Sequence, residues 1–133
     1  MASITTRLSV RSRNLFSNAI GARHDKSFAV SSDADRRIKT IKEASGAPAV
    51  LVDASDYYTD TDITLFVFVK NATSTANKNL FILIGSQIIA RLKPNEYILL
   101  PWHVMSGSND VKIYSNDSTN GVKAEYFAAK MTS

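Results

Sequence analysis

The chain has 133 residues, 44% of them hydrophobic, and no cysteine. That supports one cored domain and excludes whole-chain disorder, disulfide staples, zinc-thiolate sites and thiol catalysis. The net charge of +4 is uneven, with nine Lys/Arg against three Asp in residues 1–42 and seven Lys/Arg against nine Asp/Glu in residues 43–133.

Charge and pattern divide the chain into a basic first part, residues 1–42, and a body, residues 43–133. Within the first part, residues 4–13 (ITTRLSVRSR) alternate in part. Ile4, Thr6, Leu8 and Val10 fall on one side of an extended chain, and Arg7, Ser9, Arg11 and Arg13 on the other. This predicts a strand or extended arm with one apolar and one basic side. Residues 14–23 (NLFSNAIGAR) fit a short helix ended by Gly21 or a turn. Residues 26–41 read as extended at both ends around Ser-Ser-Asp-Ala-Asp. Residues 45–48 (SGAP) are a clear break just inside the body.

In the body, residues 49–53 (AVLVD) form a short strand, and residues 56–62 (DYYTDTD) an acidic, aromatic turn region. Residues 63–70 (ITLFVFVK) are the strongest strand, rich in β-branched and aromatic types. Further strands are expected at 79–84, 87–92, 97–102, 111–114 and 121–131. The intervening signals are Gly85-Ser86, Lys93-Pro94-Asn95-Glu96 and Asn120-Gly121, the last a hairpin signal. Residues 79–103 therefore read as a meander. About seven short strands with turns every eight to twelve residues predict an all-β fold, an antiparallel β-sandwich of jelly-roll-like type with an extended basic N-terminal arm.

Two strands depart from ordinary sandwich patterning. A strand with one wet face alternates apolar and polar residues. Residues 65–69 oppose Leu65, Val67 and Val69 to Phe66 and Phe68, and residues 80–84 oppose Leu80, Ile82 and Ile84 to Phe81 and Leu83. One set fills the sandwich, and the other needs a cover, from residues 14–42 or from another subunit. Little of the chain is left for a second layer, so subunit contact is favoured. The expected partner-binding residues are Arg7, Arg11, Arg13, Phe66, Phe68, Phe81, Leu83 and Trp102.

Reactive chemistry is sparse. His24 and His103 lack the i, i+4 partner or HExxH setting of a helical metal site. Asp53, Asp56, Asp60 and Asp62 lie close together, but DASDYYTDTD lacks the glycine and terminal glutamate of the helical calcium loop. A sandwich glycan hydrolase would need a carboxylate pair from residues 53–62 and Glu96. Tyr57, Tyr58, Tyr97, Trp102 and Tyr114 would have to converge to form a carbohydrate platform. GxSxG, GxGxxG and phosphate-loop patterns are missing. Asn71-Ala72-Thr73 and Asn116-Asp117-Ser118 match the glycosylation triplet by chance. The reading is no enzyme, no cofactor and no metal. The arginines, with Arg23, Arg36 and Arg37, would serve a salt-bridging contact or a non-specific DNA contact.

No apolar run reaches the ~18 residues of a transmembrane helix, and MASITTRLSVRSRN has no hydrophobic secretory core. The expectation is a protein made in the cytoplasm, without membrane contact.

Three stretches carry a family likeness: a valine-rich strand ending in Lys-Asn (residues 67–71), a turn of the form ARLxPxE (90–96) and an aliphatic run ending in Pro-Trp (98–102). With the opening MASITTRLSVRSRN, they resemble small structural proteins of tailed bacteriophages, especially marine ones. The resemblance implies a virion component with a β-sandwich body and no catalytic site. It would be a head decoration or cement protein bridging major capsid protein subunits, or else a tail-tube, neck or fibre component. Its partners would be the major capsid protein, other virion subunits and further copies of itself.

Overall fold

The computed structural model of the protein describes residues 2–12, 20–30, 37–56, 64–104 and 109–131. The described elements are β1 (Ala2–Ser12), β2 (Ile20–Val30), β3 (Arg37–Ile41), β4 (Ala49–Val52), a 3-10 turn (Ala54–Asp56), β5 (Thr64–Asn71), β6 (Leu80–Ile84), β7 (Gln87–Leu92), β8 (Tyr97–His103), β9 (Val111–Ser115) and β10 (Val122–Met131). The all-β expectation holds. Of the helix-or-turn expected at residues 14–23, residues 14–19 lie outside the described residues, and residues 20–23 belong instead to strand β2. Arg13, Arg36, Tyr57, Tyr58, Asp60 and Asp62 lie outside the described residues as well.

The strands form two antiparallel sheets. One runs β1-β2-β10-β5-β8, with β3 also paired to β10; the other runs β4-β9-β6-β7. On the side away from β5, β10 serves two partners along its length: Val122–Tyr126 pair β3, and Met131 pairs Val30 of β2. From β3 onward the pairing is nested. β6 pairs β7, β5 pairs β8, β4 pairs β9, and β3 pairs β10. Successive pairs alternate between the two sheets, as if one long hairpin had been rolled up. β3 belongs to this roll, and its Ile41 is fully buried.

The odd set of β5 (Leu65, Val67, Val69) fills the space between the sheets with Leu80 and Ile82 of β6, Val111 and Ile113 of β9, and Val122 and Ala124 of β10. Burying side chains of this size contributes about 1.5–3 kcal/mol each. The β6–β7 connection is the tightest. Ile84 pairs Gln87 across Gly85-Ser86, and Gly85 has φ +60° while Ser86 does not have a positive φ. That is the two-residue hairpin with glycine at its first corner.

Two expectations are corrected. Residues 79–103 are not one meander, because β8 crosses to the other sheet. Asn120-Gly121 closes no hairpin either, because β9 and β10 lie in different sheets. A turn signal fixes a local reversal, not the strand that follows it. Lys93–Glu96 is a turn with a bond from Glu96 N–H to Lys93 O (3.0 Å), Pro94 at its first corner and Asn95 at φ +67°. It is tied to the end of β5 instead of folding β8 onto β7: Asn71 N–H donates to Glu96 O (2.9 Å), and Asn95 N–H donates to Asn71 O (2.9 Å). In the 116–121 loop, the Asp117 carboxylate accepts from the N–H groups of Thr119 and Asn120 (both 3.1 Å) and from Lys78.

Three sheet edges are blunted. β4 and β7, the edges of the smaller sheet, each carry a register shift, at Val50/Val52 and opposite Ile82/Leu83. β8, an edge of the larger sheet, contains Pro101, which has no N–H to offer a further strand.

Candidate functional site

The chemistry of this protein lies on its two outer sheet faces. On the larger sheet, the pleat sends alternate residues outward. β5 contributes Phe66, Phe68 and Lys70. Across the register stand Ala129, Phe127 and Glu125 of β10 and Pro101, Leu99 and Tyr97 of β8. The rings form a ladder: Phe66–Phe127 at 6.3 Å, Phe68–Phe127 at 5.2 Å and Phe68–Tyr97 at 6.0 Å between centroids. Cross-strand aromatic pairs of this kind contribute about 0.5–1.5 kcal/mol each beyond their burial. Cover over this face is graded. Phe66 and Ala129 are buried, Phe68 and Phe127 half-buried, Leu99 is 40% exposed and Tyr97 57%.

On the smaller sheet, Phe81 stacks on Tyr114, with centroids 4.7 Å apart and planes at 8°. Leu83 is buried beside Lys112, its register partner, at the floor of a shallow groove with Pro48, Ser86 and Asn109. Arg91 stands opposite Phe81, and Val50 and Ile88 are exposed. Lys112 and Arg91 are the charged residues of these four strands, so this face is cationic as well as apolar.

The residues expected to meet a partner therefore separate. Trp102 belongs to the core between the sheets, and Phe66 and Leu83 are enclosed by the chain itself. Phe68 and Phe81 are half-buried, on the outer faces of different sheets. Arg7 is exposed on β1 and Arg11 lies near the end of that strand. Cover for the second apolar sets is partly lateral, by aromatic neighbours in the same sheet. Sequence reasoning missed Ile38, Leu99 and Phe127. Leu99 shares the period-2 set of Tyr97 and Pro101, and Phe127 that of Glu125 and Ala129, so strict alternation would have found both.

The other chemical candidates among the described residues lie as follows. Tyr97, Trp102 and Tyr114 occupy one outer face, the core and the opposite outer face, so these three make no common platform. Asp53 accepts from the Ser55 hydroxyl (2.7 Å) and the Ser55 N–H (2.9 Å), and these bonds hold its carboxyl below the usual range. The Glu96 carboxylate accepts from Lys93 N–H (2.8 Å) within its own turn. His103 is exposed at the end of β8. Among the described residues no group of three His, Cys, Asp or Glu is placed to hold a metal ion, and no helix is long and apolar enough to cross a membrane.

The glycosylation triplet at Asn71 is a structural device. Its side chain is fully buried. Nδ2 donates to Lys78 O (2.7 Å) and Leu92 O (3.0 Å), while Oδ1 accepts from Thr73 N–H (3.1 Å). The Lys-Asn strand end and the LKPNE turn, distant in sequence, are thus one hydrogen-bonded construction. No protein-family model matches the chain, and no curated protein matches it.

Proposed function

We propose that this protein is a structural component of a bacteriophage virion, a capsid decoration or cement protein that bridges major capsid subunits. The observation that carries the reading is where the binding chemistry lies. It is spread over broad apolar sheet faces, with Tyr97, Leu99, Ile38, Val50 and Ile88 exposed, as suits a part that adheres to other subunits. The sequence resemblance to phage structural proteins points the same way. So does the nested pairing, which we read as a jelly roll, an architecture that recurs in viral capsid domains. In this reading the basic N-terminal strand, with Arg7 and Arg11, is the arm that meets an acidic capsid surface, and the protein acts in the virion without catalysis.

The test adds the purified protein to preformed empty capsids of its phage and measures co-sedimentation. Binding is expected, and reversing Arg7, Arg11 and Arg13 to Glu is expected to weaken it by about 10-fold or more at low salt. Absence of binding by the folded wild-type protein would overturn the reading. A tail-tube, neck or fibre role is the second reading. It is favoured by the β1–β2 hairpin, which among the described residues pairs with the body at the single step Val30–Met131. A ribbon held at one end can be laid on the next subunit of a ring. Closed rings or tubes formed by the protein alone under the electron microscope would select it.

A further inference from the structure

Asn120-Gly121 closes no hairpin, but the pair carries a chemistry of its own. Asn120 is the single asparagine of the chain that is followed by glycine. It is exposed, on the loop between β9 and β10. A following glycine has no Cβ to shield its backbone nitrogen, and that nitrogen can attack the side-chain amide carbon before it. The Gly121 nitrogen loses its proton and bonds to Asn120 Cγ, the Cγ–Nδ2 bond breaks, and ammonia leaves. Water then opens the cyclic imide. Cleavage of the new bond gives aspartate. Cleavage of the original peptide bond gives isoaspartate, which lengthens the main chain by a carbon.

We propose that Asn120 is a self-modification site of this kind, and that Asp117 holds it shut in the folded chain. Asp117 binds both backbone nitrogens of the pair. Asn120 N–H donates to Asp117 Oδ1 (3.1 Å), and Gly121 N–H donates to Asp117 O (3.0 Å). The attacking nitrogen is thus held as a donor to a carbonyl, and its proton must leave that bond before attack on Cγ. Asp117 is itself fixed. Its carboxylate also accepts from Thr119 N–H (3.1 Å) and from Lys78, and its carbonyl accepts from the Ser115 hydroxyl (3.1 Å). Asn120 therefore reacts from the open form of the loop, at a rate set by how often the loop opens.

The product does not fit the fold. A Cβ at Gly121 would lie 2.5 Å from Thr40 Cγ2, 2.9 Å from Lys42 Cγ and 3.0 Å from Ile41 O, so the main chain there has no slack on the side of β3. Val122, the next residue, pairs Ile41. A longer main chain just before Gly121 presses on this contact and loosens the β3–β10 pairing. Converted chains are expected to melt at a lower temperature than unconverted ones.

The experiment incubates the purified full chain in mildly alkaline buffer, folded or in urea, and follows the tryptic fragment 113–123 by mass spectrometry. Fragment ions place the mass gain of amide-to-acid conversion at Asn116 or Asn120. In urea, Asn120 is expected to convert and Asn116, which precedes an aspartate, to lag behind it. The folded wild type is expected to convert about 10-fold more slowly or less. Asp117→Ala removes the carboxylate from the Asn120 N–H, and Lys78→Ala removes its cation; each is expected to bring the folded rate at least about 3-fold closer to the urea rate. Lys93→Ala, in another turn, is expected to change nothing. Emission from Trp102, the single tryptophan of the chain, reports folding in each variant, and Lys78→Ala carries the test if Asp117→Ala unfolds. Faster conversion at Asn116 in urea, a folded wild type as fast as the unfolded chain, or folded variants as slow as wild type would overturn the proposal.

Discussion

Asn71 joins three segments with one side chain: the end of β5, the loop before β6 and the end of β7. Truncation to alanine would strand the carbonyls of Lys78 and Leu92 in a buried position, and unmet buried acceptors are costly. Asn71→Ala is expected to lower unfolding stability by about 2–4 kcal/mol, read by urea denaturation followed through Trp102 emission. Asn71→Asp should cost more at neutral pH, because a carboxylate would face two carbonyl oxygens; a smaller loss would contradict the hydrogen-bond assignment. Asp117 makes a pH-dependent contribution. The Lys78 ammonium, helped by the N–H groups of Asn120 and Thr119, lowers its carboxyl from 3.8 to about 2. A folded-state pKa below the unfolded one stabilises above the unfolded value and loses that effect as pH falls through the folded one. The melting-temperature gap between wild type and Asp117→Asn should therefore be open at pH 5 and above and close between about pH 4 and pH 2. A gap constant over that window would assign Asp117 no such role.

At the level of elements, turns and strands were legible in the sequence for different reasons, and partners were not. β5 and β6 stood out because β-branched and aromatic residues crowd both faces, and Pro94-Asn95 was legible because proline and a left-handed asparagine suit the two corners of one turn type. The crossings were illegible, because a turn residue carries no record of the sheet into which the next strand goes. Gly121 shows what the Asn-Gly pair does instead. It sits at φ +76°, and a Cβ there would lie 2.5 Å from Thr40 Cγ2 and 3.0 Å from Ile41 O. The glycine lets the crossover from β9 pass against the end of β3, a tertiary requirement that a hairpin reading misses. Gly121→Ala is expected to cost at least about 2 kcal/mol, from left-handed strain and displacement of the β3 backbone. Gly85→Ala, whose Cβ would meet Asn109 Oδ1 at 3.3 Å, should cost about 1 kcal/mol. Equal losses in thermal unfolding would show that strain alone governs both. The candidate surface was half legible for a related reason. Doubly apolar strands announced a second covered face, but Phe66 and Leu83 are enclosed at home, and the exposed rim of Tyr97 and Leu99 is contributed by a strand whose pattern looked ordinary.

For the molecule as a whole, nested pairing dictates an order of assembly. β6 and β7 meet across two residues, whereas β3 reaches β10 only when everything between them has been gathered in, as Ile41 pairs Val122. Closing a loop costs more entropy the longer it is, and sheets dominated by distant pairings fold in about milliseconds to seconds. The innermost pair should therefore form in the folding transition state, and the outermost pair after it. Ile82→Val in β6 and Ile41→Val in β3 remove one buried methylene each, a loss of about 0.5–1.5 kcal/mol. Both side chains are essentially inaccessible to solvent, so the two losses should be similar at equilibrium. Their kinetic signatures should differ. Ile82→Val is expected to slow folding, with most of its free-energy change in the folding rate, and Ile41→Val to speed unfolding, with little effect on folding. Stopped-flow chevrons through Trp102 emission measure both. If Ile41→Val slows folding as much as Ile82→Val, the roll does not close from the inside out, and the ends of the chain find each other before the middle is built.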